Sequence, residues 1–374
     1  MAAGKRIPIV YYHSVGPHIA DWHRNFLTIS PEVFREQLGY LVRHYNIISL
    51  KELWLIRTGQ AVEVKNPLAI TFDDGYSDIW THAFPVLRQY GIRATVFIST
   101  DFVDDRDIVR SENDEPGFLS WKEMQKMEES GLVDIQSHTL THTRYWKSGR
   151  LTGIHHPGGD ILYPAINLFP ERRLDHIGDP GFEKLLPYGF PLFEDSSAVV
   201  IKKVTINPEF IEECISLFSN YDFAKYDHNE ALRLVEPLYR EYCTRDDLII
   251  SVETDEDYLK RVREEIVSSR KIIEDHLAKK VEFLCWPHGD NNEILHRMAM
   301  EAGYLMTTVG KAQGVDTNDI SRLPERLALN FSTRRKKRKS MIKLKALSGI
   351  FPYTVLVKSY RAISRSRDFV MAHR

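Results

Sequence analysis

Apolar positions along this chain fall into short runs separated by segments of helical period, and the two alternate over most of its length. Ile7–Tyr12, Leu68–Phe72, Arg93–Ser99, Leu132–Ser137, Val281–Cys285 and Tyr304–Val309 have strand length, with Leu327–Leu329 a shorter last run. Between them, Phe34, Leu38, Leu41 and Tyr45 recur at helical spacing behind Ser30-Pro31, an N-cap followed by proline at the first helical position. Ser49-Leu-Lys-Glu52 and Ser120-Trp-Lys-Glu123 are capping boxes, and their helices stop near Gly59 and Gly131. A helix over Ser77–Tyr90 ends at Gly91, and Pro85 inside it predicts a kink. Tyr258–His276, with Leu259, Val262, Ile266 and Ile273, and Asn292–Ala302 are the later helices. Strand and helix in regular alternation predict a parallel α/β sheet, and seven or eight strands could stay open or close into a barrel.

Two segments break the alternation. Arg144–Ser251 holds many prolines and aromatics, including His155-His156-Pro157 and Leu186-Pro-Tyr-Gly-Phe-Pro191. It is too apolar for disorder and reads as a folded insertion, a cap in which Tyr188 and Phe190 could face a substrate. The other segment is the C-terminal stretch. Thr333–Arg374 carries thirteen Lys/Arg and one acid, a net +12, so the preceding residues carry −2 − 12 = −14. Within it, Arg334–Lys339 is a basic cluster, and Met341, Leu344, Leu347 and Phe351 follow at helical spacing. Pro352 should end that helix, and Leu356, Tyr360 and Ile363 suggest a second one. A basic amphipathic helix of this kind predicts contact with an anionic membrane surface. Aromatics spread along a groove, the mark of a nucleic-acid site, do not flank the cluster.

Composition changes this picture little. The 374 residues are 43% hydrophobic and 27% charged, ordinary for a globular protein with a sizeable core. Three distant cysteines suggest reduced thiols rather than a disulfide framework. No apolar run approaches the ~18 residues of a membrane span. Met-Ala-Ala-Gly-Lys-Arg leads straight into a strand pattern, so the expectation is a cytoplasmic protein, peripheral on the inner membrane face.

The candidate chemistry sits at two strand ends. Leu68–Phe72 runs into Asp73 and Asp74, followed by Gly75, where the chain can bend and bring both carboxylates to one rim. In parallel α/β folds that carboxyl edge is where chemistry gathers. Leu132–Ser137 runs into His138-Thr-Leu-Thr-His142, two imidazoles that can share one metal. Two histidines and a carboxylate form a three-ligand set that leaves a position for water.

Thr71-Phe-Asp-Asp-Gly75 and Ser137-His-Thr-Leu-Thr-His142 resemble the first two motifs of the polysaccharide deacetylases, carbohydrate esterase family 4. Tyr11-Tyr-His-Ser-Val-Gly-Pro17 and Trp286-Pro-His-Gly289 fit the same family, and the resemblance covers Ile7 to about Thr143 and Glu253 to Asn330. It implies a distorted (β/α)7 TIM-like barrel in which Asp74, His138 and His142 hold a divalent metal and Asp73 is the catalytic base. Zinc suits the set, with Mn2+, Co2+, Ni2+ or Fe2+ as alternatives. It also places His13, Tyr76, Pro287 and Gly289 at the substrate and oxyanion position, with the His288 amide as a donor. The family's third-motif arginine, which braces the base, is replaced by Cys285, so Arg322 or Arg326 would have to stand in. The usual acid histidine has no clean match; His288, His155, His156 and His176 are candidates.

These readings divide the chain into 1–143 and 252–332 as two parts of one barrel, 144–251 as the inserted cap and 333–374 as the tail. The expected activity is metal-dependent N-deacetylation of amino sugars in a polysaccharide or a lipid-linked precursor. A deformylase or other amide hydrolase on the same scaffold, and a catalytically dead sugar-binding relative, are the alternatives.

Overall fold

The computed structural model describes residues 7–18, 25–111, 117–179, 181–225, 227–312, 316 and 319–356. Nine strands form one parallel sheet: β1 (Ile9–Tyr12), β2 (Asn46–Ile47), β3 (Pro67–Phe72), β4 (Ala94–Ile98), β5 (Val133–Ser137), β6 (Phe283–Leu284), β7 (Met306–Thr308), β8 (Arg322–Leu323) and β9 (Arg326–Ala328). Their order is β8-β7-β6-β5-β4-β3-β1-β9, and β2 pairs with β3 off this path. The path thus holds eight strands where the family resemblance implied seven. The difference lies in the last run, where Pro324 and Glu325 separate two short strands that become the opposite ends of the sheet.

Side-chain alternation sorts each strand into two faces. Ile9, Ala69, Phe97, Phe283, Cys285, Met306 and Leu323 gather in one buried cluster with Leu50 and Leu53 from the helix Leu50–Arg57. Their neighbours Val10, Ile70, Phe72, Val96, Ile98, Ile135 and Leu284 pack with helix residues Phe34, Leu38, Leu41, Val262, Ile266 and Ile273 in another. The sheet is therefore an open, curled barrel with a filled interior and an outer layer of helices.

Both capping boxes form as read, at Ser49/Glu52 and Ser120/Glu123. The helix after β3 departs from expectation. It begins as a π-helical stretch, Ile79–Ala83, and becomes α-helical only over Phe84–Tyr90. Pro85 has no N–H for an ordinary i→i−4 bond, and the wider turn is closed by the Phe84 N–H donating to the Ile79 carbonyl.

Residues 144–251 build two antiparallel pairs, Arg144–Ile154 with Pro191–Ser197 and Val204–Ile206 with Ile249–Val252, plus the helices Pro208–Leu217 and His228–Thr244. Ile161, Leu162, Ile166, Phe182 and Phe190 share a cluster with Tyr76, Phe102 and Phe118 of the barrel's loops, so this segment packs on the barrel's rim.

The basic helix runs Arg334–Leu347 and stops before Pro352, capped at Ser348. Its apolar stripe does not face outward as the amphipathic reading had it. Leu344 is fully buried and Met341 packs on the helix-side core, while the Ser340 hydroxyl accepts from the Asn330 N–H. Tyr360 and Ile363 lie outside the described residues. No helix among the described residues is long and apolar enough to cross a membrane.

Asp78 supplies a test of the rim beside β3. Its carboxyl is buried, accepts from the Ser14 hydroxyl, and leaves Oδ1 without a partner among the described residues. Burial pushes its pKa up to about 6, against the opposing Ser14 hydrogen bond. A folded pKa above the unfolded one means stability that is complete below the unfolded value and falls as pH rises through about 6. Asp78→Asn should therefore match the parent in urea melts near acid pH and exceed it by roughly 1–3 kcal/mol at neutral pH. Equal melts at both pH values would remove this account of Asp78.

Candidate active site

The site is assembled at the carboxyl ends of β3, β5 and β6. Asp73 leaves β3 on the barrel-interior side. Asp74 then takes a left-handed backbone (φ 71°), and Gly75 another (φ 78°). A side chain at Gly75 would meet Ile98 Cγ2 at 2.8 Å, so the bend requires glycine. This turn brings the two adjacent carboxylates to one rim.

Asp74 Oδ1 lies 3.3 Å from His138 Nε2 and 3.3 Å from His142 Nε2. The His138 Nδ1 lies 2.7 Å from the Cys285 carbonyl oxygen; as the donor of that bond it leaves the Nε2 lone pair facing Asp74. One carboxylate and two imidazole nitrogens on a common point are a donor set that fits a divalent cation. Asp73, His138 and Cys285 also converge within 4.8 Å of one another. That second group already surrounds a guanidinium: Arg326 donates to Asp73 Oδ1 at 2.6 Å, to Asp73 Oδ2 at 2.8 Å and to Cys285 Sγ at 2.9 Å. A resident cation at that point argues against a metal there.

Burial alone would raise both aspartates. For Asp73 the charge and hydrogen bonds of Arg326, with His138 and His13 nearby, outweigh it and hold the carboxyl below its usual range. For Asp74 the neighbouring His142 and His138, with His13, carry it well below. His288 is moved the other way, by burial first and then by His142 and Arg144, and is held as a neutral imidazole.

Of the two arginines expected beside Asp73, Arg326 is the one that pairs with it. Arg322 is buried elsewhere, bonded to Asn291 Oδ1 at 3.1 Å and Glu293 Oε1 at 2.7 Å. In the third motif, Pro287 has no N–H, the Gly289 N–H donates to Trp286 O and the Asp290 N–H to Pro287 O. Pro287 and Gly289 thus shape the turn that holds His288. His288 itself has φ 57° and its ring stands 4.5 Å from that of His142.

Beside these side chains lies an open pocket lined by Asp74, Tyr76, Ser99, Phe102, Phe118, His142, Leu162, Tyr163 and His176. His13 stands against Tyr11 at its edge of the barrel. The insertion's contribution differs from the sequence reading. Tyr188 bonds Glu183 and packs on His155, and Phe190 is buried against Trp146, so neither lines this pocket. Leu162 and Tyr163 do, with Tyr163 edge-on to His288 at 5.5 Å. Among the candidate acids, His155 is buried with Nε2 on the Glu183 carbonyl and His156 sits on Pro157 O; only His176 and His288 adjoin the pocket.

Sequence reasoning missed Glu265. It lies on the helix Asp255–Leu277, is 3% exposed, and accepts from the Leu140 and Thr141 N–H groups, both at 3.0 Å, and from the Thr141 hydroxyl. These bonds fix the loop between His138 and His142. The only signal was an acid on the apolar stripe of an otherwise charged helix. Glu265→Ala should lower divalent-metal affinity by about 10–100-fold in a chelator-competition titration while circular dichroism stays native. Unchanged affinity would mean that the loop holds its shape without this carboxylate.

Residues 61–154 match the family model described as polysaccharide deacetylase. The chain is 29% identical over 203 residues to a poly-β-1,6-N-acetyl-D-glucosamine N-deacetylase of Staphylococcus aureus, covering 54% of this chain and 65% of that protein. It is 26% identical over 150 residues to the enzyme of the same name from Escherichia coli, 38% of this chain and 22% of that one. The chain thus spans less than two thirds of the length of these curated relatives. Among solved structures, a de-N-acetylase from Aggregatibacter actinomycetemcomitans shares the fold, with TM-score 0.53, 16% identity, and coverage of 89% of this chain and 99% of that one. A deacetylase domain from Bordetella bronchiseptica does so at TM-score 0.51 and 17% identity, over 86% and 94% of the two chains. Both strand-end motifs lie inside the matched segment, with the barrel beneath them, so over residues 61–154 the chain is similar to the polysaccharide deacetylases.

Proposed function

We propose that this protein is a metal-dependent N-deacetylase that releases acetate from N-acetylated amino sugars of a polysaccharide. The observation that supports it most is the pairing of Asp74, His138 and His142 with a separate carboxylate, Asp73, that Arg326 keeps ionised and away from the ligand position. The named activity of the staphylococcal and E. coli relatives points to a poly-N-acetylglucosamine-type substrate.

In this reading Asp74, His138 and His142 hold a divalent cation, zinc best matching two nitrogens and one oxygen, with Mn2+, Co2+, Ni2+ or Fe2+ as alternatives. When bound, such a cation supplies Lewis acidity and lowers the pKa of water. Asp73 accepts the proton of the attacking water as general base. The His288 N–H stabilises the charge that develops on the acetyl oxygen. Tyr76, Tyr163 and the neighbouring aromatics exclude water around the acyl group and offer faces to the sugar ring. His176, which lines the pocket, is the histidine placed to return a proton to the departing amine; His288, held as a neutral imidazole, has none to give.

Asp73→Asn should retain metal and lose on the order of 10²–10⁴ in turnover, whereas His138→Ala should lose metal and activity together. Metal content by elemental analysis and acetate release from an N-acetylglucosamine oligomer provide the two readouts; formate release from formylated substrate alone would move the reading to a deformylase. Equal metal loss in both variants would reverse the roles of Asp73 and the ligands.

Arg326 governs a pH dependence. With it in place the Asp73 carboxyl titrates below its usual range, so the ionised base persists until pH falls through that lowered value. Arg326→Met leaves burial unopposed, and the acid limb of the activity profile should move to higher pH, with Arg326→Lys recovering part of the shift. An acid limb that stays in place would show that the arginine has only a structural part.

A further inference from the structure

The segment after β9 carries charge that its own folding disfavours. Residues 333–356 contain eight Lys/Arg and no acid. Four of them, Arg334, Arg335, Lys336 and Lys337, occupy the first turn of the helix Arg334–Leu347, where the helix dipole repels positive charge. Lys337 is paired with Glu36 and lies over the Phe331 ring, but Arg334, Arg335, Lys336, Arg338, Lys339 and Lys343 are exposed. The buried side of the helix, Ser340, Leu344 and Met341, ties it to the barrel, so the cations form the outward face of a fixed element. Just beyond it, four large apolar side chains reach solvent within seven residues: Ile350 at 42% exposure, Phe351 at 78%, Val355 at 53% and Leu356 at 55%.

We propose that this outward face and the apolar residues following it dock the protein on an anionic lipid surface. Cations beside exposed aliphatic and aromatic groups match a leaflet, where headgroups meet the charge and the acyl boundary takes the apolar groups. A soluble polyanion would leave Ile350, Val355 and Leu356 without a role. The polysaccharide is not the occupant either, on the deacetylase reading, because its product carries amines that the strip repels. The helix begins six residues past the end of β9, whose first residue holds Asp73, so docking would bring the catalytic rim near the lipid surface.

Cosedimentation of the full chain with phosphatidylcholine vesicles, with and without phosphatidylglycerol, tests this. Binding should require phosphatidylglycerol and weaken as salt is raised, since each Lys/Arg near an anionic surface contributes roughly fivefold. The triple variant Arg335→Glu, Arg338→Glu, Lys339→Glu should bind at least about 10-fold more weakly. The pair Phe351→Ser, Val355→Ser should also bind less at a salt concentration where charge is screened. All of these residues are exposed, so melting temperature and acetate release from a soluble oligomer should be unchanged, which keeps this test separate from that of the active site. No pelleting at low salt, equal pelleting of the charge-reversed variant, or capture by heparin that the apolar pair does not alter while vesicles stay unbound would each overturn the proposal.

Discussion

A single guanidinium links the closure of this barrel to its chemistry. Arg326 stands on the end strand β9, yet its donors reach Asp73 at the end of β3 and Cys285 beyond β6, and its plane lies near the Tyr11 and Phe97 rings. Those partners sit on strands up to five places away along the sheet, and only a curled sheet brings them within reach of one side chain. Burying an ion pair costs several kcal/mol of desolvation, recovered only when geometry and further hydrogen bonds are good. Here the carboxylate is met by two nitrogens and the thiol by one of them. Removing either partner would strand a charge in the barrel, a loss of about 3–5 kcal/mol in comparable cases.

The rest of the site is held by backbone conformations that most residues avoid. Asp74, Thr139, His142 and His288 all have positive φ. Such residues cost of order 1–3 kcal/mol each and persist only where neighbours over-determine them. The neighbours are visible. Gly75 allows the turn at Asp74, Glu265 anchors the amides between the two histidines, and the hydrogen bond between His138 and the Cys285 carbonyl orients the first imidazole. Cys285, where the resemblance implied an arginine, fits the same frame. That position carries a small thiol, and the space between it and Asp73 is filled by the arginine from β9.

The insertion and the tail are attached to this frame in different ways. Residues 144–251 share an aromatic cluster with Tyr76, Phe102 and Phe118, which also wall the pocket, so cap and site have one common apolar layer. The tail helix is fixed by Leu344, Met341 and Ser340 against the outer face and presents its charge outward.

Local patterns in the sequence determined seven of the sheet's nine strands, the capping boxes, and the strand-end position of Asp73, Asp74, His138 and His142. Each of these depends on neighbours within about one turn or one strand, where periodicity and turn chemistry act. The wrong or open readings concern partners far apart in the chain. Nothing near Arg322 or Arg326 distinguishes them as neighbours of Asp73; Arg326 is on an interior-facing position of the last strand, and Arg322 is bonded to Asn291 and Glu293. Tyr188 and Phe190 looked as suitable for a pocket as Leu162 and Tyr163, and only the fold of the insertion chose between them. The apolar stripe of the tail helix was legible, but whether barrel or solvent met it was not, because amphipathicity names a buried face without naming what buries it. Side chains separated by hundreds of residues acquire their partners from the curl of the sheet, and that curl was decided by tertiary packing alone.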